Sequence, residues 1–266
     1  MTSLDGVAWE SAALLSKAGR DLRDPKLSIT PDDRLMLLGC SALRDGVPFP
    51  GEHQAVVSFS EDGSAWSEIE PALAPQLWLW RVTWHRGRGY GLSFSTTIDF
   101  PQHARLTLHA TDDGLTYHSV VEDLGIPGCP SEASLRFDQD DTAYALVRRD
   151  SPKHTDALLG RSRPPYTQWQ WHELDVHIGG PNLLQLPDGR WIGAGRVHAD
   201  GKPYTTLGVL DMDQGRFEPR VRLVTSDDSS YPGLLWHDQR LWVSYYSGNG
   251  GKASIYLAQL TAEQFD

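Results

Sequence analysis

The stretch Arg23-Asp24-Pro25-Lys26-Leu27-Ser28-Ile29-Thr30-Pro31-Asp32-Asp33-Arg34-Leu35-Met36-Leu37 decides the fold. A charged start leads into apolar alternation at period two, then a tight polar turn and a second apolar run, the pattern of two antiparallel strands. The same design returns four times, over residues 82–90, 133–144, 182–191 and 233–242. Lining up the turn residues Asp33, Gly87, Asp141, Gly189 and Gln239 gives steps of 54, 54, 48 and 50 residues. Strand-turn-strand units at a period near 50 predict an all-β chain folded as a five-bladed β-propeller. Its inner strands are expected near 24–30, 80–85, 132–137, 181–186 and 231–236, in one domain over residues 1–266.

A second motif marks the same phase of the repeat. Ser3-Leu4-Asp5-Gly6-Val7-Ala8-Trp9, Ser60-Glu61-Asp62-Gly63-Ser64-Ala65-Trp66 and Thr111-Asp112-Asp113-Gly114-Leu115-Thr116-Tyr117 all fit [ST]-x-D-G-x-x-[WY]. In such a turn the Asp side chain holds backbone N–H groups, the Gly takes positive φ and the aromatic packs beneath. Looser copies lie over residues 162–169 and 211–217. The next slot would fall near residue 261, where the chain ends, so the copy at Ser3 is expected to fill it. On that reading residues 7–15 form the outer strand of the last blade, beside residues 254–258, and close the ring.

Composition narrows the classes. Ten Trp, nine Tyr, 25 Gly and 17 Pro suit short strands joined by many turns. A net charge of −11 argues against nucleic-acid binding, which needs a basic surface. No apolar run reaches about 18 residues, so no membrane span is expected. Residues 1–20 lack a basic start followed by an apolar run, so no signal peptide is expected. The default location is cytoplasmic, or extracytoplasmic for a trimmed chain. Cys40 and Cys129 lie in different repeats and read as thiols, not a disulfide. The histidines show no ligand spacing, and no phosphate or dinucleotide motif occurs, so neither metal nor cofactor is expected. No helix is expected, and the loops 44–54 and 96–103 should rim one face.

Inner strands of a propeller begin at the channel mouth, so residues at their starts line a shared pocket. These are Arg23 and Asp24, Trp80 and Arg81, Ser131 and Glu132, Pro181 and Asn182, and Ser230 and Tyr231. Seven residues past each turn anchor stands a second rung: Cys40, Phe94, Arg148, Arg196 and Tyr246. Arg148 and Arg196 at one depth, with Arg23, would make three guanidiniums able to hold an anion. Their burial calls for a pocket carboxylate, such as Asp24 or Glu132, or an anionic ligand. Which of Arg148 and Arg149 faces inward is open.

The turn motifs resemble the Asp boxes of the sialidase superfamily, along the whole chain. Leu22-Arg23-Asp24-Pro25 is similar to that family's first-arginine segment, Ser131-Glu132-Ala133 with Arg148 to its glutamate and second arginine, Arg196 to its third, and Ser230-Tyr231-Pro232 to its nucleophilic tyrosine segment. The resemblance implies that Tyr231 attacks the anomeric carbon, Glu132 takes its proton and the arginines hold a sugar carboxylate. Arg23-Asp24-Pro25 also resembles the Arg-Asp-Pro segment of the five-bladed invertase-like and arabinanase-like furanosidases. That resemblance implies an Asp24/Glu132 carboxylate pair, with His85 as a candidate for the remaining proton transfer.

The expected function is therefore a glycoside hydrolase of sialidase-like type, acting on a small-molecule or oligosaccharide substrate with an acidic sugar in the axial pocket. Glu132, Asp24 and Tyr231 are the candidate catalytic residues. Arg23, Arg81, Arg148, Arg196, Tyr246, His85, Trp80 and Asn182 are candidates for binding substrate. The alternatives are an inverting furanosidase using Asp24 and Glu132, a uronic-acid lyase using Tyr231 and His85, and a non-catalytic sugar-binding propeller. Unlike residues in the five slots favour one asymmetric site over a repeated lectin site.

Overall fold

The computed structural model describes residues 1–43, 53–96 and 104–266. The loops expected at the rim, 44–54 and 96–103, lie outside this set except for residues 53, 54 and 96. The chain is all-β and five-bladed, each blade an antiparallel sheet whose strands follow one another in sequence order.

Two blades form the compact unit Met1–Asp123. The first contains β1 (Arg20–Ile29), β2 (Leu35–Leu43), β3 (His53–Ser60) and the short β4 (Glu70–Pro71). The second contains β5 (Leu77–His85), β6 (Arg88–Ser95), β7 (Leu106–Thr111) and β8 (Tyr117–Val121). Three blades form the unit Leu124–Asp266. These are β9 (Pro130–Phe137), β10 (Ala143–Arg149), β11 (Leu158–Ser162) and β12 (Gln170–Glu173); β13 (Gly179–Gln185), β14 (Trp191–Ala199), β15 (Lys202–Asp211) and β16 (Arg216–Arg222); and β17 (Ser229–His237), β18 (Arg240–Asn249) and β19 (Lys252–Leu260). The helix content among the described residues is one 3₁₀ turn, Ala262–Phe265.

All five turn anchors adopt the left-handed conformation: Asp33, Gly87, Asp141, Gly189 and Gln239 have φ of 62, 80, 62, 91 and 59°. The lined-up positions thus share one backbone requirement, met by Gly or by residues that tolerate positive φ. The three [ST]-x-D-G turns also fold alike. Asp5, Asp62 and Asp113 each accept two backbone N–H bonds on Oδ1, and Ser3, Ser60 and Thr111 each accept the N–H of the motif's glycine.

Apolar side chains fill the gaps between neighbouring blades. In the first unit Met36, Leu38, Ala55 and Val57 meet Leu79 and Val82. In the second, Leu146 and Leu159 meet Leu183, Trp191 and Leu210, while Ile192 and Leu207 meet Leu241 and Val243. Sheets buried on both faces explain the near-continuous apolar runs of β2 and β10.

Residues 7–15 do not form the expected strand. Thr2 and Glu10 make a single bridge, residues 11–17 have no regular structure, and the last blade has three strands. The stretch Glu10-Ser11-Ala12-Ala13-Leu14-Leu15-Ser16-Lys17 contains no β-branched or aromatic residue, so little favours a strand there. The segment follows the outer side of the first blade, where Lys17 Nζ donates to the Ile69 carbonyl at 3.1 Å.

Candidate functional site

In every blade the inner strand slips register once against the second strand. The slips fall between Arg23 and Lys26, Leu79 and Arg81, Pro130 and Ala133, Gly179 and Asn182, and Ser230 and Gly233. The residues left out of the ladder are Asp24-Pro25, Trp80, Ser131-Glu132, Gly180-Pro181 and Tyr231-Pro232. A bulge re-aims side chains, and it tolerates proline because no ladder hydrogen bond is needed there. Asp24, Gly180 and Tyr231, each before a proline, have φ of 52, 60 and 57°. Four members of the second rung stand opposite: Cys40 pairs with Arg23, Phe94 with Trp78, Arg196 with Gly179 and Tyr246 with Ser230, while Arg148 is itself left out of its ladder, between Val147 and Arg149.

The polar cluster of the second unit centres on Glu132, which is 7% exposed. Its Oε2 accepts Arg148 Nη1 at 2.9 Å and the Gly180 N–H at 2.7 Å, and its Oε1 accepts the Tyr231 hydroxyl at 2.9 Å. Every contact it makes here is as an acceptor. Gly180 is required: a Cβ there would lie 2.1 Å from Tyr231 Cδ1, so the tyrosine ring rests on bare backbone. Arg148 also donates Nε to Asp150 at 2.8 Å. Asp150 in turn accepts Ser131 Oγ at 2.8 Å and stands 3.8 Å from His177 Nε2. Burial works against the Arg148 charge, but Glu132 and Asp150 outweigh it and hold its pKa above the ordinary arginine value. Burial would raise the Asp150 carboxyl, yet His177, Arg148 and Ser131 bring it below its usual range.

A second group lies on the neighbouring blades. Arg196 Nε stands 2.9 Å from Asp228 Oδ1, and its Nη2 donates to Asp228 Oδ2 at 3.2 Å and to the Tyr246 hydroxyl at 2.5 Å. Burial and the Asp228 hydrogen bond push the Tyr246 phenol up to about 12. The Tyr231 and Tyr246 rings lie 5.7 Å apart, and the Arg196 guanidinium stands 5.7 Å from the Tyr231 ring. Three carboxylates (Glu132, Asp150, Asp228) thus face two guanidiniums. Arg149 turns away, 1% exposed, with Nη2 2.6 Å from Glu173, so Arg148 is the inward arginine. Asn182 is buried and donates to the Pro232 carbonyl at 3.0 Å, tying one inner strand to the next.

In the first unit, Arg23 pairs with Asp21 at 2.7 Å and is half exposed. Asp24 occupies its bulge, where Lys26 Nζ donates to its carbonyl at 2.9 Å. Trp80 is 2% exposed with Lys26 Nζ 3.6 Å above its ring, so it presents no open stacking face. Arg81 follows directly on β5. His85 lies at the other end of that strand, at the β5–β6 turn beside Arg88. Five residues of strand separate it from Trp80, about 16 Å of rise.

Sequence reading missed Asp150, His177, Asp228, Gly179 and Gly180. One signal could have found Asp150: an Asp two residues from an Arg pairs with it elsewhere in the chain, at Asp21/Arg23 on β1 and at Asp32/Arg34 and Asp188/Arg190 in turns. Among the described residues no cluster of His, Cys, Asp and Glu could hold a metal ion, and no helix is long and apolar enough to cross a membrane. Both cysteines are free thiols.

No protein-family profile and no curated protein matches the chain. Solved structures do. A protein of unknown function from Dyadobacter fermentans aligns over 97% of this chain and 81% of its own, with a TM-score of 0.80 and 20% identity. An endo-arabinase from Bacteroides thetaiotaomicron aligns over 94% and 98%, with a TM-score of 0.65 and 17% identity. A GH43 β-xylosidase/α-arabinofuranosidase from a compost metagenome aligns over 90% and 91%, with a TM-score of 0.60 and 12% identity. The arabinanase-like resemblance is matched in fold by the second and third of these. The chain is a five-bladed β-propeller resembling in fold the arabinase and the GH43 glycosidase.

Proposed function

We propose that the protein is a glycoside hydrolase of the furanosidase type, acting on a neutral sugar, with Glu132 as its general base. The observation that carries this is Glu132 itself, a buried carboxylate at a bulge, fixed by Arg148, Gly180 and Tyr231. An ionised carboxylate has about four acceptor sites. Three are occupied, and the fourth is left for the proton of a water molecule. In hydrolysis that water attacks the anomeric carbon, Glu132 takes its proton, and a protonated acid returns one to the departing glycosidic oxygen. A neutral sugar is favoured because the guanidiniums at the site already face carboxylates in excess, so a substrate carboxylate would add repulsion. The acidic sugar expected from the sialidase resemblance loses its support on this ground.

A second reading stands on the Tyr231–Glu132 hydrogen bond: Tyr231 attacks the anomeric carbon while Glu132 takes the phenol proton. The two differ in outcome. Aryl α-L-arabinofuranosides, β-D-xylosides, sialosides and glucuronides would be screened, with product stereochemistry read by NMR. A base-and-water mechanism inverts and keeps most of its activity in Tyr231→Phe. A tyrosine nucleophile gives retention and loses about 10³-fold or more in Tyr231→Phe. Sugar binding without turnover on any substrate removes the hydrolase reading and leaves a carbohydrate-binding propeller.

A further inference from the structure

Gly179 is a buried glycine that the fold does not require. Its φ lies outside the left-handed region, unlike that of Gly180 beside it. A Cβ at Gly179 would meet Arg196 Cβ at 3.5 Å, Arg196 Nη1 at 3.6 Å and Arg148 Nη1 at 3.8 Å, all ordinary contacts. The position is nonetheless bare, between guanidiniums supplied by two different blades.

Those guanidiniums have donors in reserve. Arg148 directs Nη1 to Glu132 and Nε to Asp150; Arg196 directs Nη2 to Asp228 and Tyr246. Nη1 of Arg196 meets no acceptor among the described residues, and Nη1 of Arg148 gives only one of its two hydrogens to Glu132. Their side chains are 21% and 16% exposed, so solvent and solutes reach them.

We propose that the gap over Gly179 is a subsite for a hydroxyl of a neutral sugar, which accepts hydrogen bonds from the Nη ends of Arg148 and Arg196. This rests on reading the cluster as a glycosidase site, and it makes Gly179 a specificity-determining position. A hydroxyl oxygen suits the gap because Glu132, Asp150 and Asp228 already balance the two cations. A methyl group at residue 179 would occupy the volume that the hydroxyl needs.

The test is calorimetric binding of methyl α-L-arabinofuranoside, methyl β-D-xylopyranoside and methyl glucuronide to wild type, Gly179→Ala and Gly179→Ser, with aryl-glycoside kinetics alongside. Wild type binds a neutral glycoside more tightly than the glucuronide. Gly179→Ala keeps the wild-type melting temperature, since its added Cβ makes only ordinary contacts. Both variants bind the neutral glycoside about 10- to 100-fold more weakly, the loss expected for hydrogen bonds to charged donors. The loss appears in KM and not in kcat. Unchanged affinity in Gly179→Ala, tighter binding of the glucuronide, or no binding by wild type overturns the subsite. Binding that is lost in the variants, from a wild type that hydrolyses nothing, upholds the subsite and removes only the hydrolase reading.

Discussion

Glu132 is held by three donors of different kinds: a guanidinium, a backbone amide and a phenol. Glu132→Gln keeps the shape but replaces one acceptor oxygen with an NH₂ group that must face a donor, and it removes the base. Turnover is expected to fall about 10²- to 10⁴-fold. The circular dichroism spectrum should stay that of the wild type, and retained turnover would remove Glu132 from its assigned role. At this scale the sequence was partly legible. Glu132 and Tyr231 stood out because a charged or phenolic group at a strand start needs a reason, and Arg148 and Arg196 because both fall seven residues past their turn anchors. Asp150 and Asp228 did not, since an Asp beside a loop looks like any turn residue until its arginine is seen across from it. Gly179 and Gly180 were silent because what matters is the side chain they lack.

The repeated Asp-Gly turn is the element with the clearest sequence signature, and its stability role can be isolated. Asp113 Oδ1 accepts the N–H groups of Leu115 and Thr116, at 2.8 and 2.7 Å. Asp113→Ala should cost about 1 kcal/mol, by analogy with the loss of a helix N-cap. Gly114→Ala should cost more, because Gly114 has φ +78° and a Cβ would lie 2.7 Å from Met36 Sδ. Chemical denaturation with unchanged m-values checks both; a Gly114→Ala protein as stable as wild type contradicts the packing described. The hairpins were legible because turn chemistry and period-two alternation are local. The missing outer strand of the last blade was not, since the repeat supplies a phase while residues 10–17 lack the β propensity to fill it. Inner strands start two to four residues before the expected positions, because pairing resumes on the far side of each bulge.

Across the whole chain, Asp5, Asp32, Asp62, Asp112, Asp113, Asp150 and Asp188 all have carboxyl pKa values below the ordinary one. Hydrogen bonds from turn backbones, hydroxyls and arginines hold most of them there, with the net effect at Asp113 and Asp150 working against burial. A group whose folded pKa is depressed stabilises the fold fully above its unfolded pKa, near 4. That contribution is lost as pH falls through the folded value. Burial also holds the His109 imidazole down to about 4, so below about pH 6.5 the unfolded chain binds a proton there that the fold does not. Melting temperature should therefore decline gently below about pH 6.5 and more steeply below about pH 4. Differential scanning calorimetry over that range checks this; a melting temperature that rises on acidification contradicts it. Period and turn chemistry were enough to reveal the five-bladed plan from sequence, whereas charge balance at the site depends on which carboxylate meets which arginine.

The bulges have an evolutionary consequence. Residues standing outside the ladder hold no strand in register, so in each blade one or two positions are released from the duty of keeping the sheet intact. Such a scaffold can acquire a new specificity through exchanges at these positions while the ladders around them stay as they are. The unlike occupants Asp24, Trp80, Glu132, Gly180 and Tyr231 are the outcome that freedom allows.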